Sequence, residues 1–345
     1  MKKILLYFLL FILLCFFIPV LFTTKRIINK TEEVINNNEE INKDEENINL
    51  EGKTKKYQYQ KYGTVKLLHA KSEDIEELSI DEYLYGVVSA EMPANYEVEA
   101  LKAQAIVART YTIYQMINNA GKHGNSDICD DYKCCQAWIS KEDRLNKWEE
   151  ANKEEYWNKI VTAVDDTSGR IITYDKKIIN AFFHSNSGGI TESSVNIWGG
   201  VDYPYLKSVA TSGEDGYQQY SSQVEMTKEE LINKLKTKYN NIQIDSNDSN
   251  SIKIVEYTSS NRVKSIQFGN ITIAGTEART LLGLKSTNFS IDFQEDKIIF
   301  SVHGYGHGVG MSQTGADSMA KNGSSCEDII KHFYTNVEIL NVNDV

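Results

Sequence analysis

The stretch from Ser79 to Tyr114 constrains the fold most, because it predicts two helices separated by a proline. Ser79 and Glu82 have the spacing of a capping box, in which two side chains satisfy free backbone N–H groups at the start of a helix. The apolar residues that follow repeat with helical spacing and predict one buried face: Ile80, Leu84, Val87 and Val88. Pro93 predicts the end of this helix, since the residue before a proline avoids the helical conformation.

Glu91 continues the buried face three residues beyond Val88 and lies in the last helical turn. Burial and the negative end of the helix dipole both disfavour its charged form, so they raise its pKa. A carboxylic acid that still holds a proton near neutral pH can act as a general acid, which makes Glu91 the candidate catalytic residue. The pattern equally allows a Glu91 that caps nearby backbone or pairs with a lysine or arginine.

The rest of the chain predicts an α+β fold, with a mixed, mostly antiparallel sheet and packed helices that form a substrate cleft. A second helix is expected from about Glu97 to Met116, and its polar residues are expected to face solvent: Lys102, Gln104 and Arg109. A hairpin is expected from Arg170 to His184. Alternating apolar residues predict strands at Ile252–Tyr257, Val263–Phe268, Ile271–Ile273, Phe289–Phe293 and Ile298–Val302. Further helices are expected at Glu149–Thr167, Thr227–Lys238, Thr276–Leu282, Ser312–Asn322 and Ser325–Phe333.

A short polar loop carries four soft or borderline metal ligands: His123, Cys129, Cys134 and Cys135. Their type and number suit tetrahedral Zn²⁺, although the spacing is not that of a common zinc finger. The alternative is a disulfide between Cys129 and either Cys134 or Cys135, which would leave His123 an ordinary surface residue.

The N-terminus predicts a membrane anchor. Nineteen uncharged residues, Ile4 to Phe22, are about as long as a helix needs to be to cross a bilayer, and no cleavage pattern follows them. Residues 1–26 are therefore expected to form a transmembrane anchor, 27–56 a disordered linker, and 57–340 a folded domain of one or two lobes. The net charge of −11 excludes the basic face that a nucleic-acid-binding protein needs.

Three ordered motifs resemble the stage II sporulation protein D family. They are Tyr83–Pro93 with Glu99–Ala105 and Ala108–Tyr111, then Phe183–Glu192, then Gly304–Gln313. The resemblance implies a peptidoglycan lytic transglycosylase that acts during engulfment in sporulation, with Glu91 as its catalytic glutamate. It also implies glycan strands without stem peptides as the preferred substrate. Its implied partners are the amidase stage II protein P and the membrane protein stage II protein M.

The same resemblance orients the chain and bears on the loop cluster. It implies a cytoplasmic N-terminus and a catalytic domain between the mother-cell and forespore membranes. Clostridial members carry a zinc-binding Cys/His cluster in this loop, so a structural zinc is expected here. Those relatives have His-Cys where this chain has Cys134-Cys135, so Cys134 either binds the metal or leaves a place for water.

Six polar residues in two glycine-containing segments are candidate sugar contacts: His184, Ser185, Ser187, His303, His307 and Gln313. The alternatives are a tight structural turn in the first segment and a buried core histidine at position 307. Two rival functions also stay open. One is a glycan-binding amidase enhancer that cleaves no bond, and the other is a zinc hydrolase, which would need an open metal position.

Overall fold

The computed structural model of the chain describes residues 57–200, 202–245 and 248–345. The predicted anchor (1–26) and linker (27–56) lie outside these residues. Within the described ranges, no helix combines the length and the apolar character that a bilayer span requires.

The described residues form an α+β fold, as the sequence predicts. Their nine α-helices are α1 Ile80–Glu91, α2 Val98–Asn118, α3 Lys141–Leu145, α4 Lys153–Asp165, α5 Ser194–Trp198, α6 Lys228–Lys236, α7 Gly275–Leu282, α8 Gln313–Lys321 and α9 Cys326–Phe333. Short 3-10 helices occupy Glu150–Asn152, Ser249–Ser251 and Val342–Asp344. Seven of these helices agree with the predicted boundaries to within a few residues, and the two short helices α3 and α5 lie outside the predicted ones.

The strands of the described chain form five small sheets rather than one. The strands are β1 Thr64–Leu68, β2 Ile75–Ser79, β3 Ile128–Cys129, β4 Arg170–Tyr174, β5 Lys177–Ile178, β6 Phe183–His184, β7 Ser221–Thr227, β8 Ile252–Tyr257, β9 Val263–Phe268, β10 Ile271–Ala274, β11 Asn288–Phe293, β12 Lys297–His303, β13 Met311–Ser312 and β14 Glu338–Asn341. The sheet orders are β2-β1-β3, β10-β9-β8, β11-β12-β7, β13-β6 and β14-β4-β5. Only β1–β3 and β6–β13 are parallel, so the pairing is mixed and mostly antiparallel, as expected.

The hairpin predicted from Arg170 to His184 is wrong in its second half. β4 pairs with only two residues of β5, after which the backbone N–H of Asn180 donates to the Tyr205 hydroxyl at 3.0 Å. The chain then leaves this sheet, and His184 pairs in parallel with Ser312. This pairing brings the second and third sequence motifs side by side.

Helices α1 and α2 build the larger of two hydrophobic cores. Ser79 and Glu82 form the predicted capping box, and the predicted buried face of α1 is fully buried: Ile80, Leu84, Val87 and Val88. α2 packs against α1, α4, α8 and α9. The strands β7–β12, with α6 and α7, enclose a second core around Phe268 and Phe300.

The expectation that the polar residues of α2 face solvent is wrong for Gln104 and Arg109, which are fully buried. The Arg109 guanidinium pairs with Asp81 at 3.1 Å and donates to the carbonyl oxygen of Thr167 at 2.7 Å. These partners lie 28 and 58 residues away along the chain, so the local pattern of α2 cannot reveal them. Arg109 thereby ties the start of α1 to the chain that follows α4.

Candidate active site

Glu91 is the last residue of α1 and is partly buried. The next residue, Met92, already has an extended backbone, as expected before Pro93. Oxygen Oε1 of Glu91 accepts a hydrogen bond from the backbone N–H of Ala137 at 2.7 Å, and the same carboxylate also accepts one from the Gln313 side chain.

The segment that carries Ala137 is held firmly. Gln136 is buried, and its amide donates to the Tyr83 hydroxyl and to Thr112, both at 2.8 Å. On the other side of Ala137, the Trp138 ring covers Gly86. A Cβ atom at Gly86 would lie 2.2 Å from Trp138 Nε1, so only glycine lets α1 approach this segment.

Burial is the main influence on Glu91 and raises its pKa to about 6. The hydrogen bonds from Ala137 and Gln313 favour the ionised form and limit the rise. The residue can therefore hold a proton in mildly acidic to neutral solution. That is the property that the helix pattern predicts for a general acid.

Glu91 lies where two cavities meet. The larger has a volume of about 1490 Å³ and the smaller about 380 Å³, and both are lined by Glu91, Ser185 and Gln313. A long polymer could therefore occupy space on both sides of the Glu91 carboxyl. Exposed aromatic rings border the larger cavity, which we call the cleft: Tyr132, Trp198 and Tyr305.

His184 and His307 both line the cleft, with ring centroids 5.6 Å apart. His184 Nδ1 lies 3.1 Å from the carbonyl oxygen of Val309 and must donate to it, so Nε2 is the unprotonated nitrogen. Burial lowers the pKa of His184 to about 4, and His307 is shifted well below its usual value for the same reason. The backbone at position 306 packs closely against His184, and this requires glycine, because a Cβ atom at Gly306 would lie 2.8 Å from His184 Cβ.

Four of the six candidate sugar contacts line the cleft together with Glu91: His184, Ser185, His307 and Gln313. The other two do not. His303 is exposed and packs against Tyr220, with ring centroids 5.5 Å apart. Ser187 is fully buried, and its hydroxyl donates to Glu214 at 2.5 Å. The first segment is thus partly a cleft wall and partly the structural turn that the sequence allowed.

Glu214 is a buried carboxylate that no pattern in the sequence indicates. Six groups donate to it: the N–H groups of Ser187 and Gly189 and the hydroxyls of Ser187, Thr211, Ser312 and Thr314. These bonds overcome the effect of burial and lower the pKa of Glu214 to about 2. Its charge joins the second and third sequence motifs, since it accepts from Ser187 and Gly189 and from Ser312 and Thr314, the two neighbours of Gln313.

Among the described residues, Glu277 is the second carboxylate that lines the cleft. It accepts a hydrogen bond from Lys238 at 2.6 Å and another from the Tyr239 hydroxyl. Burial alone would raise its pKa, but these two donors outweigh burial and lower it. Glu277 is therefore ionised and bound by Lys238 and Tyr239, whereas Glu91 has a raised pKa.

His123, Cys129, Cys134 and Cys135 converge in space, with one donor atom of each within 4.8 Å of all the others. His123 Nε2 lies 3.2 Å from Cys135 Sγ and 3.8 Å from Cys134 Sγ. Two ligands of a tetrahedral zinc are separated by about 3.3–3.8 Å, so the cluster fits this metal with little adjustment. The four described cysteines are all free thiols, so no disulfide joins Cys129 to its neighbours.

Comparison with known proteins shows which family the chain is similar to. The profile of a family described as Stage II sporulation protein matches residues 68–174. Stage II sporulation protein D of Bacillus subtilis (strain 168) is 35% identical over 269 residues, which cover 78% of this chain and 76% of that protein. The protein of the same name from Bacillus amyloliquefaciens is 34% identical over 80% of this chain and 78% of its own length.

A more distant relative carries another name. The amidase enhancer of Bacillus subtilis (strain 168) is 26% identical over 73% of this chain and 39% of that protein. The two sporulation proteins match along most of both chains, and the three motifs meet around one cleft. The chain therefore belongs to the stage II sporulation protein D family, a family of sporulation proteins.

Proposed function

We propose that the protein is a peptidoglycan lytic transglycosylase with Glu91 as its acid. The single observation that supports this most is the position of Glu91 at the junction of two cavities, with its pKa raised to about 6. A protonated carboxyl there can reach a bond inside a sugar chain whose two ends continue in opposite directions.

The reaction needs one carboxyl group and no water. Glu91 gives its proton to the oxygen between N-acetylmuramic acid and N-acetylglucosamine, and the bond from that oxygen to the muramic C1 breaks. The C6 hydroxyl oxygen of the same muramic residue then bonds to C1, and its proton goes to the Glu91 carboxylate. The products are a 1,6-anhydro-muramic end and a free C4 hydroxyl. Glu91 finishes protonated, as it began.

This scheme agrees with the carboxylates of the cleft. A hydrolysing glycosidase usually needs a second carboxylate as base or nucleophile. Glu277, the other acid that lines the cleft, is held by Lys238 at 2.6 Å. In the transglycosylase scheme the substrate supplies the nucleophile, and its attack is effectively intramolecular.

Two other cleft residues can contact the neutral parts of a sugar chain. The unprotonated Nε2 of His184 is buried and has no hydrogen-bond partner in the described part of the chain, so it can accept from a sugar hydroxyl. Trp198 is 49% exposed and lies 5.2 Å from His307, ring centroid to ring centroid. Its free face can stack on a sugar ring.

We place this activity in sporulation, at the peptidoglycan between the mother-cell and forespore membranes. The support is the family and the names of the two Bacillus relatives. The N-terminal apolar segment would anchor the chain in the membrane. Stage II protein P, an amidase that would strip stem peptides, and stage II protein M are its proposed partners.

We further propose that His123, Cys129, Cys134 and Cys135 hold a structural zinc ion. Four protein ligands close the coordination sphere, so a bound zinc would fix the loop and activate no water. The loop leads directly into Gln136 and Ala137, and Ala137 donates to Glu91. Purification without chelator should give about one zinc per chain and protected thiols. Metal-free protein with unreactive cysteines would favour a disulfide instead.

A second candidate function is a non-catalytic amidase enhancer. Its support is the relative with that name, which is 26% identical over 298 residues. In this case Glu91 would contact glycan without breaking a bond. The protein would retain glycan strands and accelerate a separate amidase.

Mass spectrometry of digested glycan strands separates these functions. The proposed enzyme releases products that carry an anhydro end, each lighter by one water than the product of hydrolysis. The Glu91→Gln variant should release neither. Wild-type protein that releases nothing but accelerates an amidase is an enhancer, and hydrolysed ends would contradict both proposals.

A further inference from the structure

The cleft has a charge opposite to that of the whole chain. The sequence has a net charge of −11, yet among the described residues four basic side chains line the cleft against two acids, Glu91 and Glu277: Lys133, Lys238, Arg279 and Lys285. A neutral sugar polymer does not by itself require positive charge. This local excess indicates an anionic group on the ligand.

Three of the four basic residues have a partner in the protein. Lys238 pairs with Glu277 at 2.6 Å. The other two lysine ammonium groups lie over aromatic rings: that of Lys133 is 5.7 Å from the Tyr132 centroid and that of Lys285 is 4.4 Å from the Tyr305 centroid. The guanidinium of Arg279, in the last turn of α7, has neither a hydrogen bond nor an ion pair in the part of the chain that the structure describes; only the backbone carbonyl of this residue accepts hydrogen bonds.

Arg279 is also partly desolvated and faces the centre of the site. It is partly buried, and burial lowers the pKa of its guanidinium. Burial is the main cause of the low pKa values of His184 and His307, and the positive charge of Arg279 adds to the lowering of both. A guanidinium removed from water without a partner costs free energy, and a bound anion would offset that cost.

We propose that Arg279 is a specificity-determining residue that binds a carboxylate of the glycan strand, namely the free lactyl carboxylate of a muramic residue. This inference rests on the proposed function. The lactyl carboxyl is the ionisable group of the sugar chain itself, and it is charged only where no stem peptide is attached. A guanidinium matches a carboxylate with two parallel hydrogen bonds, and an amide offers it no charge.

The test uses muramic-acid tetrasaccharides in two forms, with free lactyl carboxylates and with their methyl esters. Binding of each form to the full chain in detergent is measured by calorimetry. The protein carries Glu91→Gln, which prevents turnover of the ligand. The free acid should bind about ten- to a hundredfold more tightly than the ester, as for a charge-assisted hydrogen bond. Adding Arg279→Gln should abolish this difference, whereas Arg279→Lys should keep part of it.

A matched control is Lys264→Gln, which removes the same charge from an exposed pair with Glu256 outside the cleft. It should leave the ratio of the two affinities unchanged. Equal binding of acid and ester, a ratio that survives Arg279→Gln, or no binding of either form would each overturn the proposal. Failure of the proposed function is separate: wild-type protein would bind the acid preferentially but release no anhydro product from it.

Discussion

Glu91, which is partly buried, and Glu214, which is buried, both bond to the same short segment, yet the protein shifts their pKa values in opposite directions. Gln313 donates to Glu91, while Ser312 and Thr314 donate to Glu214. Burial raises the pKa of Glu91 to about 6, and the six donors around Glu214 lower its pKa to about 2 despite burial. The number of hydrogen-bond donors, and not burial alone, decides which carboxylate keeps a proton.

The two settings suit two tasks. Glu214 stays charged, so it can hold Ser187, Gly189 and Ser312 in one arrangement through charge-assisted hydrogen bonds. Glu91 has few donors and an open side, so its proton can be given away and recovered. The segment Ser312–Thr314 thus connects a carboxylate that stays charged with one that can titrate.

The largest expected effect is on catalysis at Glu91. Glu91→Gln keeps an oxygen that can accept from Ala137 but removes the transferable proton. Production of anhydro ends should fall by about 10²- to 10⁴-fold, the usual contribution of a general acid. The rate is measured by mass spectrometry of digested glycan strands.

The matched control for this substitution is Glu155→Gln, which makes the same change on the exposed surface of α4. Its rate should equal that of the wild type. If Glu91→Gln forms anhydro ends at a rate close to that of wild-type protein, Glu91 is not the acid. The functional difference between Glu91 and Glu214 would then not hold.

The next largest effect is on stability at Glu214. Glu214→Gln replaces one acceptor oxygen with an amide N–H that would face donors, and it removes the charge that six donors share. The free energy of unfolding should fall by about 3 kcal/mol or more at pH 7, measured by urea denaturation. A midpoint equal to that of Glu155→Gln would show that the network contributes little.

The same two residues show what the sequence could predict. Glu91 can be predicted from local rules: helical spacing from Ile80, a helix end at Pro93 and a capping box at Ser79. Glu214 lies in a segment without regular secondary structure, and its donors come from positions up to 100 residues away. No periodicity indicates such a network, so the sequence alone predicts a sugar contact at Ser187 instead.

Strands and helices follow the same division. The alternating apolar residues of β8–β12 and the capping box of α6 fixed those elements correctly. The parallel pairing of His184 with Ser312 joins residues 128 apart, so it could not be read from either segment alone. Arg109 was misplaced for the same reason, because its partner Asp81 lies on another helix.

The third effect is on the pH dependence of the free energy of unfolding, which should differ between the two glutamates. The pKa of Glu91 is raised from 4.5 to about 6 in the folded protein, so the folded state binds more protons between these pH values and loses stability as pH rises. The loss amounts to at most about 2 kcal/mol. Glu91→Gln should therefore be more stable than wild type at pH 7.5 by about this amount and no more stable at pH 4.

Glu214 should show the reverse dependence. Its pKa is lowered from 4.5 to about 2, so its contribution is present above pH 4.5 and is lost as pH falls towards 2. Urea denaturation of wild-type, Glu91→Gln and Glu214→Gln proteins across this range measures both. Parallel curves for the two variants would contradict the opposite charge states.

The smallest expected effect tests whether donor number sets the pKa of Glu91. Gln313→Leu removes one donor from the ionised carboxylate, so the pKa of Glu91 should rise further above 6. Because the acid must be protonated, the fall in kcat/KM at high pH should move upward by about half to one pH unit, in keeping with one hydrogen bond.

Gln223→Leu, an exposed change on β7, is the control and should leave the pH profile of kcat/KM unchanged. If Gln313 contacts only the substrate, KM will rise while the pH of the fall stays where it is. A profile that moves downward would mean that Gln313 stabilises the protonated acid, and the rule that separates Glu91 from Glu214 would not hold at Glu91.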